Sequence, residues 1–125
     1  DTFAATVLDR ADVKAEEGRG WMALYKKLLG LRRRHVVPIL PQMEKGGSWQ
    51  ITEQGVLAVQ WTTDSKAWLS VTANLHDTVK PASRRPAGVR LLYASHEGEP
   101  GEDGMLPPWS VYWFAGQEHE GDGSA

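Results

Sequence analysis

Apolar residues early in the chain recur with the spacing of an α-helix. From about Glu16 onward they return at three- and four-residue steps, which places them on one side of a helix. Glu16 and Glu17 lie where a helix N-terminus favours negative charge, and residues 32–34 are arginines, which favour its C-terminus. Pro38 disfavours helical geometry at the residue before it, so the helix is predicted to end near His35. The apolar side is formed by Trp21, Met22, Leu24, Tyr25, Leu28, Leu29 and Leu31.

After a linker at residues 41–48, the spacing changes from helical to alternating. A period of two is typical of β-strands, and four segments show it, with a weaker fifth at residues 49–52. The break at residues 63–66 is short enough for a hairpin, so at least one pair of strands is predicted to be antiparallel. The last strand carries large apolar residues on both sides and is predicted to be covered on both. The four segments are 56–61, 68–75, 89–93 and 109–114.

The remaining segments lack either period. Residues 96–108 are rich in Gly, Glu and Pro and are predicted to form an exposed loop, and residues 116–125 are predicted to be a disordered tail. Gly30 interrupts the helix pattern, and we expect its missing side chain to let another backbone approach. The patterns together predict an α+β fold, a helix followed by a small antiparallel β-domain.

Composition narrows the possible functions. With 125 residues, 41% apolar and 24% charged, the chain has the balance of an ordinary globular protein, and a net charge of −2 predicts neither nucleic-acid nor membrane binding. There is no cysteine, and no stretch is apolar and long enough to span a bilayer. The first residue is Asp1 rather than methionine, so we expect most of a larger protein to precede it.

Catalytic and metal sites are not indicated by the polar residues. The histidines, at positions 35, 76, 96 and 119, have no short mutual spacing of the kind that metal sites show, so neither a metal nor a cofactor is predicted. Ser70, His76 and Asp77 include the residue types of a catalytic triad, but such triads are defined by geometry and any chain of this size offers them by chance. Asp9 and Asp12 are an acidic pair in the segment before the helix, and surface solubility explains the acids better than glycoside hydrolysis does.

The six tryptophans raise the question of sugar binding, because an indole ring can stack on a sugar ring. Trp61, Trp109 and Trp113 are in phase with aliphatic neighbours and are predicted to lie in the core. Trp68 alternates with polar residues, unlike those three. If a tryptophan contacts glucan, we expect it to be Trp68 or Trp49. Core packing is the commoner role for each of these two, because aromatic side chains are generally buried.

Part of the helix resembles the LLxLRR…P…L signature that closes the barrel of α-amylase-superfamily glycoside hydrolases. In that superfamily, a small all-β C-terminal domain follows this helix. The ends of the chain are most similar to the maltooligosyltrehalose trehalohydrolases, which share a Thr-Phe…Leu-Asp stretch before the helix and a Pro-Trp-Ser-Val stretch in the last strand. The matching residues are Leu28, Leu29, Gly30, Leu31, Arg32, Arg33, Pro38 and Leu40 for the helix, and Thr2, Phe3, Leu8, Asp9 and Pro108 to Val111 for the ends.

The resemblance implies a parent enzyme that cleaves an α-1,4 bond and releases trehalose from a maltooligosaccharide-type substrate in the cytoplasm. The family's catalytic carboxylates come from barrel strands upstream, so no catalytic residue carries over to this chain. The implied domains are the end of the barrel with its last helix (1–40), the antiparallel β-domain (41–115) and the tail (116–125).

Two alternatives remain. One is a free-standing carbohydrate-binding β-module, and the other is the C-terminal part of another superfamily enzyme such as a branching enzyme. The helix distinguishes the first alternative, because a free module buries its apolar side on its own sheet. A barrel helix should instead pack on the missing barrel, and the chain alone should then self-associate or unfold locally over residues 1–40.

Overall fold

The chain forms two compact units, Asp1–Val37 and Pro38–Ala125, in a computed structural model. The predicted boundaries at residues 40 and 115 stay a prediction. The structure describes residues 5, 11, 14–43, 46–82, 88–97 and 104–117.

The predicted helix is present as α1, Glu16–Leu31. Its first turn carries the acidic pair Glu16 and Glu17, which interact favourably with the positive end of the helix dipole. None of its residues is buried. A methyl group at Gly30 would meet no atom within 4 Å, so the close approach expected at this glycine does not occur within the described residues.

The helical backbone does not end near His35, as predicted, but continues in two further forms. A π-helical turn covers Arg32–Val36, and a 3-10 helix covers Val37–Gln42. Val37 keeps helical angles, φ −54° and ψ −42°, although it precedes Pro38. Its N–H bonds to the carbonyl of Arg32, five residues earlier, which is the wider hydrogen-bond spacing of a π-helix. This wider turn lies directly before Pro38, which has no N–H to donate.

Five antiparallel strands form the main sheet, and all five segments predicted as strands belong to it. Their order is β1-β2-β3-β7-β5, and β4 and β6 pair separately as a two-stranded sheet. The structure therefore confirms a helix followed by a small antiparallel sheet. The strands are β1 Ser48–Ile51, β2 Leu57–Thr62, β3 Ala67–Asn74, β4 Lys80–Pro81, β5 Arg90–Ala94, β6 Met105–Leu106 and β7 Ser110–Gln117.

The predicted hairpin joins β2 to β3. The backbone N–H and the side chain of Thr63 both donate to the Ala67 carbonyl, at 2.8 and 3.0 Å. Lys66 donates its N–H back to the Thr63 carbonyl and takes the left-handed conformation, with φ 61°. These bonds close a short turn between β2 and β3. The side chains of both strands therefore lie on the same two faces of the sheet.

Residues directly opposite one another in an antiparallel pair share a face, so the register defines two faces. The first, called the Trp113 face, is apolar on all five strands except at Arg90 and Gln117. Its members are Trp49, Ile51, Leu57, Val59, Trp61, Ala67, Leu69, Val71, Ala73, Arg90, Tyr93, Val111, Trp113, Ala115 and Gln117. The second, called the Tyr112 face, mixes apolar and polar residues. Its members include Ala58, Gln60, Trp68, Ser70, Thr72, Asn74, Leu91, Ala94, Ser110, Tyr112, Phe114 and Gly116.

The core lies on the Tyr112 face. Tyr112 and Phe114 from β7 are buried together with Val56 and with Leu106 from β6. Each fully buried side chain of this size stabilises the fold by about 1.5–3 kcal/mol relative to its exposed state. The partly buried residues packed around this cluster are Trp68, Ala82, Val89, Leu91 and Ala94.

Three predictions about the end of the chain were wrong in part. The predicted exposed loop at residues 96–108 contains β6, whose Leu106 is fully buried. Gly116 and Gln117, assigned to the tail, extend β7, and the rest of the predicted tail lies outside the described residues. Trp109, predicted to lie in the core, sits in a turn before β7 and is 62% exposed. The left-handed turn at Trp109 breaks its phase with Val111, so the alternation does not extend to it.

Candidate functional site

Trp68, the first predicted glucan contact, has the surroundings of a packing residue. It lies on the Tyr112 face against the core cluster. Its ring covers Gly116, the residue directly opposite on β7, so closely that a methyl group at Gly116 would overlap it. A strand glycine covered by a cross-strand aromatic ring is a stabilising arrangement. These contacts favour core packing, and a glucan contact at Trp68 stays a prediction.

Trp49, the second predicted glucan contact, is the most exposed of the large hydrophobic residues described, at 69%. It lies on β1, an edge strand, directly opposite Val59 on the Trp113 face. Its surroundings differ from those of Trp68, because Trp68 lies on the opposite face of the sheet. A sugar contact at Trp49 also stays a prediction.

Trp61 and Trp113 form a stacked pair on the Trp113 face. Their ring centroids are 5.9 Å apart and their planes differ by 5°. Because β3 lies between their strands, the pair spans the central strand, whose Leu69 is almost fully buried. Both indoles are only partly buried, and the face on which they lie is partly open to solvent.

Asn74, which sequence reasoning missed, organises the loops at one end of the sheet. Asn74 is fully buried. Its amide nitrogen donates to three backbone carbonyls, those of Thr78 at 2.8 Å, Leu106 at 3.2 Å and Pro107 at 2.9 Å. Its side-chain oxygen accepts the His76 N–H at 3.1 Å. One side chain therefore ties the loop after β3 to the segment between β6 and β7.

Ser110 and His76 extend this network. The Ser110 hydroxyl, also fully buried, donates to the Pro107 carbonyl at 2.7 Å. The Nε2 atom of His76 lies 3.1 Å from the Gly55 carbonyl, and since a carbonyl only accepts, Nε2 is the protonated nitrogen. Gly55 has φ +84°, a conformation that suits glycine, and the imidazole occupies the space that a side chain there would need. The β1–β2 turn is thereby joined to the same cluster of loops.

Trp109 is linked to this cluster and has a strained conformation. Its φ is +54°, which costs a bulky L-residue about 1–2 kcal/mol. Its N–H donates to the His76 carbonyl at 3.1 Å. The signal that sequence analysis could have used is the pair of prolines before it, which indicates a turn rather than a strand.

The chain's other polar residues do not assemble into a catalytic site in the part that the structure describes. Ser70 lies mid-strand on β3, about 13 Å along the strand from Asn74 at 3.3 Å per residue, whereas the His76 ring bonds to Gly55 beyond the strand's end. The described carboxylates are all exposed, and no three described metal-ligating side chains are grouped. His35 lies in the π-helical turn and His96 bonds to Ser95, while Asp9, Asp12 and His119 lie outside the described residues.

Burial perturbs the titratable side chain of Tyr112. It raises the pKa of the Tyr112 hydroxyl above its ordinary value, and a hydrogen bond with the Ser110 side chain partly offsets the rise. Tyr112 belongs to the core cluster, so the perturbed pKa reflects packing.

In the described residues, no helix is both long and apolar enough to cross a membrane.

Comparison with known families identifies the β-domain. Residues 45–113, more than half of the chain, match a family described as a domain of unknown function, DUF3459. The chain belongs to the DUF3459 family. DUF3459 is found at the C-terminus of α-amylase-superfamily glycoside hydrolases, so the resemblance seen in the sequence is confirmed at the level of the superfamily. This DUF3459 chain is the C-terminal part of an α-amylase-family enzyme. No solved structure matches it.

Proposed function

We propose that this chain is the C-terminal structural part of a cytoplasmic enzyme that resembles maltooligosyltrehalose trehalohydrolase. That enzyme hydrolyses the α-1,4 bond next to the terminal trehalosyl unit and releases trehalose, a step of trehalose biosynthesis. The support for the trehalose-releasing activity is the similarity of both ends of the chain to that family, including the Pro-Trp-Ser-Val stretch at residues 108–111. The support for the superfamily is the DUF3459 match.

The Trp113 face is the observation that carries the structural role. Apart from Arg90 and Gln117 it is apolar on all five strands, yet only Leu69 and Ala73 on it are buried. An extended apolar face that is left partly exposed is typical of a surface that packs on another domain. We propose that this face packs on the remainder of the enzyme.

The helix supports the same role independently. Trp21, Tyr25 and Leu29 are 56%, 60% and 62% exposed, and no residue of α1 is buried. A helix whose apolar side is wide but exposed gains most of its stability from tertiary packing. The barrel is the packing partner we propose for it.

Catalysis belongs to the rest of the enzyme in this proposal. Glycoside hydrolysis requires two carboxyl groups on either side of the scissile bond, about 5–9.5 Å apart. The carboxylates in the described part of the chain are exposed residues of α1 and of separate turns: Glu16, Glu17, Glu53, Asp64, Asp77 and Glu97. The chain by itself should therefore hydrolyse no glycosidic bond.

The decisive experiment assays the whole enzyme that carries this domain. Incubation with maltooligosyltrehalose should release trehalose, measured by chromatography, and the isolated chain should release none. Formation of new α-1,6 branches in amylose, without trehalose release, would replace the proposal with a branching enzyme. Turnover by the isolated chain that a substitution within it abolishes would contradict the structural role.

Hydrogen exchange on the isolated chain tests the packing role separately. Amides of α1 should exchange much faster than those of β3 and β7, and light scattering should show self-association. A monomer in which α1 is protected as strongly as the strands would favour a free-standing carbohydrate-binding β-module instead.

A further inference from the structure

The glycine-containing segment between the helix and the sheet is fixed at its downstream end. Ser48, the first residue of β1, pairs with Gln60, and its hydroxyl donates to the Gln60 carbonyl at 3.4 Å. Just before it, Gly47 lies so close to the Trp61 ring that a methyl group at Gly47 would overlap the indole. A backbone packed against an aromatic ring cannot rotate without displacing that ring. Gly47 therefore serves close packing rather than flexibility.

The upstream end is fixed by Gln42, the last residue of the 3-10 helix. Its backbone carbonyl accepts the Asp64 N–H at 3.3 Å, and its side-chain Oε1 accepts the Ser65 hydroxyl at 2.9 Å. Both partners lie in the β2–β3 hairpin, where the buried Thr63 has its hydroxyl 3.0 Å from that of Ser65. Main chain and side chain of Gln42 thus hold the same hairpin, in a contact that we call the Gln42 clamp.

The π-helical turn upstream has the opposite character. None of residues Arg32–Val36 is buried, whereas Ile39 and Met43, beyond the turn, are half-buried. The second compact unit begins at Pro38, before the two glycines. Sharp bends in helical backbone occur mainly at π-helical turns and at prolines, and this turn directly precedes a proline. The helical run is therefore easiest to bend at this turn.

We propose that the Gln42 clamp moves the flexible joint between the helix and the β-domain upstream, from Gly46 and Gly47 to the π-helical turn at Arg32–Val36. Residues 38–43 then move with the β-domain as one body. A glycine linker would let the domain reorient in any direction, whereas a joint within helical backbone restricts the motion to bending. This inference does not depend on the trehalose-releasing activity.

The chain has no cysteine, so spin labels can be attached to chosen pairs of introduced cysteines. Pulsed electron paramagnetic resonance then measures distance distributions in the full 125-residue chain, diluted with unlabelled chain. Leu40→Cys with Asp77→Cys should give a narrow distribution, because both sites belong to one body. Leu29→Cys with Asp77→Cys spans the π-helical turn and should give a broad one. Glu17→Cys with Leu29→Cys, within α1, is the control and should stay narrow.

Substitutions at Gln42 test the clamp itself. Gln42→Leu removes the side-chain acceptor, and it should speed hydrogen exchange of the Asp64 amide about two- to tenfold, the range for one lost hydrogen bond. It should also broaden the Leu40–Asp77 distribution. Gln42→Glu keeps an acceptor oxygen for Ser65 and should behave like the unmodified chain. Gln50→Leu alters an exposed amide on β1 and should change neither quantity.

Three results would overturn the proposal. Equal widths for the Leu40–Asp77 and Leu29–Asp77 pairs would mean either that the glycines are the joint, if both are broad, or that no joint exists, if both are narrow. A broad distribution within α1 would assign the motion to the helix itself. Unchanged exchange and distances in Gln42→Leu would show that the clamp holds nothing. Trehalose release by the whole enzyme is measured separately, so failure of the proposed function is distinguishable from failure of the clamp.

Discussion

The two faces of the five-stranded sheet differ in how composition relates to burial. The Trp113 face is almost entirely apolar, yet most of its side chains are only partly buried. The Tyr112 face carries Ser70, Thr72 and Asn74, yet it holds the buried core. Burial therefore follows what covers each face, and here the covering residues are Val56, Leu106 and their neighbours.

The more apolar face of a sheet is not always the one that is buried. In a self-sufficient β-domain, the more apolar face is the one that is buried, because burial of apolar area is the main favourable contribution to folding. Here the more apolar face is the less buried one. Such an inversion is expected for a domain whose stability depends on a larger enzyme, and it agrees with membership of a C-terminal domain family.

Exchanging tryptophan for alanine on each face gives the largest expected contrast. Trp68→Ala removes a ring that packs on the core and covers Gly116, and it should lower the free energy of unfolding by roughly 3–5 kcal/mol. Trp49→Ala, at a residue 69% exposed, should change it by less than about 0.5 kcal/mol. Urea titration of both variants measures the contrast. Comparable losses would show that the Trp113 face is as well packed as the core.

Asn74 tests whether the polar residues of the Tyr112 face stabilise it. Asn74→Leu keeps the volume but leaves the Thr78, Leu106 and Pro107 carbonyls without this donor, and it should cost about 1–3 kcal/mol. Gln50→Leu alters an amide on the exposed strand β1 and serves as the control, with little expected change. Thermal unfolding compares the two. An Asn74→Leu variant as stable as the unmodified chain would show that the loops do not depend on this amide.

Replacing Tyr112 should give the smallest change in stability, and that change should depend on pH. Burial raises the pKa of its hydroxyl above 10.0, so the folded state holds the proton more tightly than the unfolded state. The stability contribution is present below about pH 10 and declines as the pH rises through the raised pKa. Tyr112→Phe should cost about 1 kcal/mol at neutral pH, through loss of the hydrogen bond with Ser110, and should reduce the alkaline decline.

The measurement is urea unfolding between pH 8 and about pH 11, a range that spans the ordinary tyrosine pKa. Tyr25→Phe, at a side chain 60% exposed, is the matched control and should retain the decline of the unmodified chain. An unaltered decline in Tyr112→Phe would mean that other groups cause it.

Sequence periodicity predicted the elements that are long enough to show a period. The helix from Glu16 and the five strands of the main sheet were found because each presents several residues to a consistent side. The strands β4 and β6 have two residues each, which is too few for alternation to be visible. Leu106, one of the most buried residues, was consequently assigned to an exposed loop.

The candidate site was less predictable because it depends on contacts between distant segments. Alternation correctly placed Trp68 among polar neighbours, but it could not show that Gly116 opposes it on β7. The position of Trp109 depends on bonds to His76, and that loop is held by Asn74. Pairings between strands and loops far apart in sequence leave no periodic trace, so the site follows from the fold rather than from local pattern.

The position of β1 has a consequence for handling this chain. Its four residues, Ser48–Ile51, are all exposed and none is charged, and no strand in the described part of the chain pairs with its outer side. Natural edge strands are usually protected by lysine, proline or a bulge, because an open apolar edge can recruit a strand from another molecule. β1 is short, with four residues, which limits it as a template. Concentrated preparations should therefore form edge-to-edge aggregates from this side of the sheet, and in the packing proposed above the rest of the enzyme would prevent this by covering Trp49 and Ile51.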